Sequence, residues 1–395
     1  AMTQNPTPAL SAAALVARAR ELAAELAPRA AEIDAARRVP AEVIERLRAA
    51  ELFAALQPRA YGGAEIPLAD YMTMVMHLAE TGGSLGWVFS VLALHQWNVA
   101  LFAREAQDEV WRDPHALVAS SYAPAGPIER DGNGWAIRGR WSFASGCDNA
   151  TWSILGGLLP GEGGTPQRHS LFLVPKRDYR IDDNWHVLGL RGTGSKDIVI
   201  ERAVVPAHRV LTIADVAAGM APGTALHGNT LYKLPFWSVV PYSLASPGIG
   251  IARGCLKAFV GDMRTRAKRG TGTKVAQFPT LHLRVAEATA AVDAAQTVLL
   301  TDAVLLQKAA ANNAVDVSLR LRIRRNHAYA LKLARQGIEQ LADAAGAAIL
   351  RDDHPMQRPF RDLRAVSAHI SMNWDAAGTA FGAASLGLNP EGATY

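Results

Sequence analysis

Leu188-Gly189-Leu190-Arg191-Gly192-Thr193-Gly194-Ser195 runs straight into Lys196-Asp197-Ile198-Val199-Ile200-Glu201-Arg202-Ala203-Val204-Val205-Pro206. Glycines crowded into a short loop open backbone angles closed to other residues, and the β-branched run after them suits a pleated, half-buried surface. The pair reads as a tight loop entering a strand that stops at proline. Upstream, Leu117 to Ser121, Gly134 to Phe143, Thr151 to Leu158 and His169 to Val174 share that aromatic and β-branched character, with Gly, Pro, Asn and Asp between them. Asp131-Gly132-Asn133-Gly134 is a turn signal, because Gly and Asn tolerate positive φ. Residues 116–210 therefore read as a compact β domain.

Both flanks are helical. Ser11 to Arg37, with a break at Pro28, then a helix opened by Pro40, Leu68 to Glu80 and Gly83 to Ala103 make an N-terminal helical domain over residues 1–115. Long Ala/Leu/Val/Arg stretches at 243–269, 280–311, 314–346 and 361–386 predict an antiparallel four-helix bundle over residues 225–395. The fold class is α+β, mainly α. The uncharged run from 82 to 102 is long enough to span a bilayer, but Ser84, Ser90, His95, Gln96 and Asn98 interrupt it and basic flanks are missing, so it reads as a buried core helix. A net charge of +5 over 395 residues is too small an excess for a nucleic-acid surface. Cys147 and Cys255 have no metal-like spacing, and neither do the histidines, so no metal site is expected. Free thiols without a signal stretch point to the cytoplasm.

A helical domain, a β domain and a helical bundle, in that order, resemble the acyl-CoA dehydrogenase fold, whose middle domain is barrel-like. Three segments carry the likeness: Pro58-Arg59-Ala60-Tyr61-Gly62-Gly63, Trp141-Ser142-Phe143-Ala144-Ser145-Gly146, and the Gly-rich loop with its strand. Within that superfamily the chain looks like the oxygenase components of two-component flavin monooxygenases. That likeness rests on Gly86-Trp87 leading to His95-Gln96-Trp97, on Ser120-Ser121-Tyr122-Ala123-Pro124, on Ser145-Gly146-Cys147-Asp148, and on Arg361-Asp362-Leu363-Arg364 followed by His369. The resemblance implies reduced flavin, FMN or FAD, delivered by a separate flavin reductase. It further implies O2 as co-substrate, a C4a-hydroperoxyflavin, a small aromatic substrate of the phenol class, and a homotetramer. The absence of a Gly-x-Gly-x-x-Gly nicotinamide motif agrees with reducing power arriving from outside.

By the same resemblance, His95, Ser145 and His369 are the expected catalytic residues. Ser145 would sit beside flavin N5, His95 would share the substrate's phenol proton, and His369 would protonate the oxygen carrier. Trp141, Phe143, Ser145, Gly146, Arg266, Lys268 and Arg269 are expected to hold the cofactor, and His95, Trp97 and Ser121 the substrate, with Ser120 beside Ser121 a further candidate for a substrate or flavin hydrogen bond. Each residue also has a plainer structural reading: aromatics fill cores, a serine after a strand closes a turn, and a histidine on an apolar helix is usually a satisfied core residue. Two rivals stay open. One is an acyl-CoA dehydrogenase, although Ser246 to Gly254 has no carboxylate and the C-terminal stretch offers only Asp375. The other is the same fold oxygenating an amine, an indole or a sulfur heterocycle.

Overall fold

The computed structural model describes residues 10–390 apart from 162, 164, 268 and 269. The N-terminal helices are α1 (Ala12–Leu26), α2 (Ala30–Ala36), α3 (Ala41–Ala49), α4 (Leu68–Thr81), α5 (Gly83–Val99) and α6 (Arg104–Trp111). Pro28 stands in a short 3-10 turn between α1 and α2, the break its sequence predicts. The strands follow: β1 (Val118–Ser121), β2 (Ile128–Asp131), β3 (Gly134–Ala144), β4 (Trp152–Leu159), β5 (Arg168–Pro175), β6 (Arg180–Asp182), β7 (Lys196–Pro206) and β8 (Val210–Thr212). After them come α7 (Ile213–Ala217), α8 (Phe236–Val239), α9 (Tyr242–Thr265), α10 (Pro279–Ala311), α11 (Val317–Ala345), α12 (Gln357–Ser367) and α13 (Trp374–Ser385).

The strands do not close into a barrel. They form two four-stranded sheets, β1-β4-β5-β8 and β2-β3-β7-β6. Ile137, Trp141, Ile198 and Ile200 from one sheet and Leu155, Phe172 and Val174 from the other share a core, the alternating inward positions of a sandwich. The pairing of β3 with β7 slips twice, between Ile137 and Gly139 and between Trp141 and Ala144. The second irregularity contains Phe143 at φ +67° and re-aims the chain just ahead of Ser145.

Helix α5 is buried along its whole length, as its uninterrupted apolar run requires. Both α5 and α9 pack against α4 at distances only glycine permits. A Cβ on Gly86 would lie 2.4 Å from Ala79 of α4, one on Gly250 of α9 2.5 Å from the Met76 carbonyl, and one on Gly254 2.4 Å from the Glu80 carbonyl. Pro247 sits inside α9 and cannot donate to the carbonyl of Ser243 one turn back. Ser90 of α5 repairs that defect, its hydroxyl donating to the Ser243 carbonyl at 2.7 Å. Among the described residues one helix, α10, is long and apolar enough to cross a membrane. It turns Ala288, Val292, Ala295, Leu299 and Ala303 into the core, a heptad-like stripe suited to its neighbour α11.

The fourth long helix expected over 361–386 is in fact two, α12 and α13. His369 ends the first run: its ring accepts the Ser371 N–H and caps a 3-10 turn, and Asn373 then caps α13 by accepting the Ala376 N–H. Side chains that bond nearby backbone compete with helix continuation. His369 therefore lies on a turn and not within a helix.

Gly261 offers the control for the close helix contacts, since nothing lies within 4 Å of its added Cβ. Gly250→Ala should lower stability by about 1–3 kcal/mol through overpacking, whereas Gly261→Ala should raise it by about 0.5–1 kcal/mol through helix propensity. Urea midpoints of the two variants test this, and equal shifts would mean α4 and α9 do not touch there.

Candidate active site

Helix α5 carries two of the groups that define the site. His95 is almost wholly buried and bonds through Nδ1 to the Val118 carbonyl of β1. A carbonyl can only accept, so Nδ1 bears the ring proton and Nε2 is left as an acceptor. Ser120 faces it, Oγ to Nε2 2.9 Å. Burial lowers the His95 pKa from the ordinary 6.5 to about 4, against the opposing pull of the Val118 hydrogen bond. The imidazole is thus neutral at pH 7 with one basic nitrogen. Tyr122 stands edge-on to His95 at 6.0 Å and edge-on to Phe236 of α8 at 5.1 Å, and its hydroxyl is held by Asn98.

Two turns earlier on α5, Trp87 donates its indole N–H to Ser145 Oγ at 2.9 Å. Ser145 Oγ also lies 2.6 Å from Ser195 Oγ, which lies 2.6 Å from Thr193 Oγ1, which donates to the Leu190 carbonyl at 2.8 Å. The Gly-rich loop is therefore wired to the end of β3. The loop is in turn held by α12, because Asp362 accepts the Leu190 N–H at 2.6 Å. Burial raises the Asp362 pKa to about 6, the Leu190 hydrogen bond working in the other direction.

The ring of His369 lies 5.9 Å from that of Trp87. Its Nδ1 accepts the Ser371 N–H at 3.1 Å, so the neutral ring carries its proton on Nε2. Burial, helped by the nearby charge of Arg324, lowers its pKa to about 4. Arg324 of α11 was not anticipated from the sequence. It is buried, and its Nη1 has no hydrogen-bond partner. One turn on, His327 is fully buried with both ring nitrogens unpaired, 4.1 Å from the ring of Tyr242, whose hydroxyl is also unpaired. Such groups each cost about 1–3 kcal/mol unless something satisfies them, which marks this wall as one that expects a polar ligand or water. The only prior signal was an Arg-x-x-His pair spaced for one helix face.

Several expected contacts are redirected. Ser121 donates its hydroxyl to the Ser142 carbonyl at 2.8 Å, and Ser120 takes the place beside His95, since neighbouring strand residues face opposite ways. Trp141 is sealed between the two sheets with its N–H on the Gly156 carbonyl at 2.7 Å, a packing position. Trp97 is likewise sealed, donating to the Leu231 carbonyl at 2.8 Å behind Phe236. Phe143 is 69% exposed and edge-on to Trp185. Gly146, at φ +71°, gives its N–H to the Thr193 carbonyl and seats the loop against Val88 and Leu92 of α5. Arg266 is engaged by Asp262 at 2.6 Å, by the Ala345 carbonyl and by His354, which removes it as a free cation for phosphate. Lys268 and Arg269 lie outside the described residues.

A reduced flavin, an anion with an N–H at N5, fits the groups present: Ser145 keeps one acceptor lone pair, and Arg324 keeps an unpaired donor. Among the described residues no group of three or more His, Cys, Asp or Glu could hold a metal.

Comparison with known proteins agrees with this geometry. Residues 11–116 match the family described as acyl-CoA dehydrogenase, N-terminal domain, and residues 242–374 that described as acyl-CoA dehydrogenase, C-terminal domain. The chain is 39% identical to the FADH(2)-dependent resorcinol hydroxylase, oxygenase component, of Rhizobium sp. (strain MTP-10005), over 99% of each chain. It superposes on the HsaA monooxygenase of M. tuberculosis with a TM-score of 0.91 at 34% identity, covering 97% of this chain and 100% of that one. XiaF from Streptomyces sp., solved with FADH2 and glycerol, matches with a TM-score of 0.87 at 26% identity over 97% and 98%.

The depressed histidines have a measurable consequence. Each of His95 and His369 stays neutral in the fold down to about pH 4 but binds a proton near 6.5 once unfolded. The unfolded state therefore holds more protons between those values, and stability falls as pH drops through that window. At pH 5 each histidine should cost about 2 kcal/mol relative to pH 7. Urea denaturation at the two pH values checks this, and an unchanged free energy would mean the rings are solvated.

Proposed function

The chain belongs to the acyl-CoA dehydrogenase family, among the oxygenase components of flavin-dependent monooxygenases, and we propose that it hydroxylates a small phenol. Its reduced flavin comes from a separate reductase. The observation that carries the phenol reading is the His95–Ser120 pair: a buried neutral imidazole with its proton locked on Val118 and its basic Nε2 reached through one hydroxyl. A phenol O–H placed at Ser120 can pass its proton through Oγ to Nε2, which raises electron density on the ring carbons.

When bound, reduced flavin supplies the electrons and activates the dioxygen from which one oxygen atom enters the ring. Ser145 would accept the N–H of flavin N5, with Trp87 fixing the position of that oxygen. His369, beside Trp87, would offer the proton on its Nε2, and Arg324 would balance negative charge on the ligand. Tyr122, Phe236 and Trp237 stack edge to face beside His95 and keep water out, so that the few polar groups present are strongly felt.

An acyl-CoA dehydrogenase needs a carboxylate base in the cavity. The α9 segment from 246 to 254 has none, and Asp375 is exposed in the first turn of α13. Oxygenation of nitrogen or sulfur is disfavoured because neither needs a base poised for an O–H. The chain further reads as a homotetramer, supported by Leu283, Val304, Tyr329, Ile370 and Leu386, large apolar side chains left exposed on and around the C-terminal helices. Light scattering at four times the chain mass is the expected result, and a monomer would refute it.

The decisive measurement is product formed per reduced flavin oxidised, over a panel of phenols. With a good phenol the wild type should couple the two, whereas Ser120→Ala and His95→Asn should lose product by roughly 100-fold, the usual worth of a positioned base. Flavin oxidation should continue in both variants with release of hydrogen peroxide. Full coupling in Ser120→Ala would remove the proposed proton path.

A further inference from the structure

Three oxygen–oxygen contacts link Ser145 to the Gly-rich loop: Ser145 Oγ to Ser195 Oγ at 2.6 Å, Ser195 Oγ to Thr193 Oγ1 at 2.6 Å, and Thr193 Oγ1 to the Leu190 carbonyl at 2.8 Å. Oxygens this close need a proton between them, and there are three hydroxyl protons for the three contacts. The Leu190 carbonyl has none to give, so Thr193 fills the last contact. Ser195 must then fill the middle one, and Ser145 the first. No other assignment satisfies all three. Trp87, which can only donate, occupies one Ser145 lone pair from the other side at 2.9 Å. What Ser145 has left is a single lone pair, so whatever it meets in the cavity must be a donor.

We infer that the Leu190–Thr193–Ser195 chain acts as a polarity lock that makes this site select reduced over oxidised flavin. The inference rests on the reading that puts Ser145 beside flavin N5. Dihydroflavin presents an N–H at N5 and completes the serine. Oxidised flavin presents a bare lone pair at the same atom, and two acceptors then face each other in a buried place. Ser195 and Thr193 are positioning residues here: they touch no reacting atom and act by fixing which way the Ser145 proton points. Leu190 is itself held in a left-handed conformation, φ +54°, with its N–H on Asp362 and its carbonyl also receiving Trp185 Nε1 at 3.1 Å. That anchorage keeps the terminal acceptor in place.

An oxygenase fed by a separate reductase benefits from this device, because oxidised flavin left after turnover should leave and reduced flavin should enter. The expected discrimination is roughly 10- to 100-fold in affinity, the usual size of a buried polar mismatch. The test compares dissociation constants for oxidised FAD, by fluorescence quenching in air, and for dithionite-reduced FAD, by anaerobic titration. In Ser195→Ala the Ser145 proton is released and can turn to the bare N5. Oxidised FAD should bind about tenfold more tightly, and the preference for the reduced form should shrink accordingly. Thr193→Val should move the ratio the same way, and Thr193→Ser, which keeps the hydroxyl, should restore it. Tighter binding cannot come from misfolding, so the direction of the change separates a lock from mere support. If Ser145→Ala weakens reduced FAD while Ser195→Ala and Thr193→Val leave the ratio as in the wild type, the lock is wrong but the placement of Ser145 survives. If Ser145→Ala alters neither constant, the placement itself is wrong.

Discussion

A helix with no solvent face has to settle every polar side chain inside the protein, and α5 is such a helix. Ser90 goes to the carbonyl freed by Pro247, His95 to β1, Trp97 to the segment before α8, Asn98 to Tyr122, Trp87 to the end of β3, and Gln96 to Trp111 of α6. These obligations reach α9, β1 and the residue just beyond it, the segment before α8, the end of β3, and α6. The helix that fills the core is therefore also the strut that sets the helical layers against the sheets, and the site forms where two of its polar contacts open toward a ligand. The glycine-permitted approach of α5 and α9 to α4 keeps water from offering those side chains an alternative.

Much of this could be read from residue order alone. The Gly-rich loop and its strand, the turn at Asp131 to Gly134 and the long helical stretches all have local causes, so local patterns reveal them. His95 and Ser145 stood out because their motifs match the oxygenase family in position, while the polar residues alone would read as core or turn groups. The errors share a cause as well. Ser121 was set against the substrate alongside Ser120, yet it is Ser120 that meets His95, because the facing of a short strand depends on how it pairs, and β1 pairs in parallel with the distant β4. Trp141 and Trp97 looked like ligand contacts because aromatic density alone cannot tell a cavity wall from the layer behind it.

His369 was placed inside a helix because nothing apolar breaks the periodicity around it, and only its ring's bond to Ser371 ends the helix there. Arg324 was invisible for a different reason. An arginine in the run Arg320 to Arg325 reads as part of a solvated charged face, and its burial follows from the way α11 lies against α9, which is a tertiary fact. Buried, with its Nη1 unpaired, it sets a positive charge near His369 that adds to burial in keeping that imidazole neutral. Charge for an anionic ligand thus comes from one group, and proton traffic is left to others.

Trp87 and His95 ride on the same rod. Their separation along it is eight residues of helix rise, about 12 Å, and no loop movement can change it. The molecule thus contains a gauge: the span between the Ser145 hydroxyl that Trp87 holds and the His95 base is dictated by backbone geometry. Bulkier rings can be admitted only sideways, toward Phe236 and Trp237, where a four-residue helix between prolines leaves the wall free to be reshaped without disturbing the gauge. Diversification of substrate range across relatives of this architecture should concentrate in that flank and spare the rod.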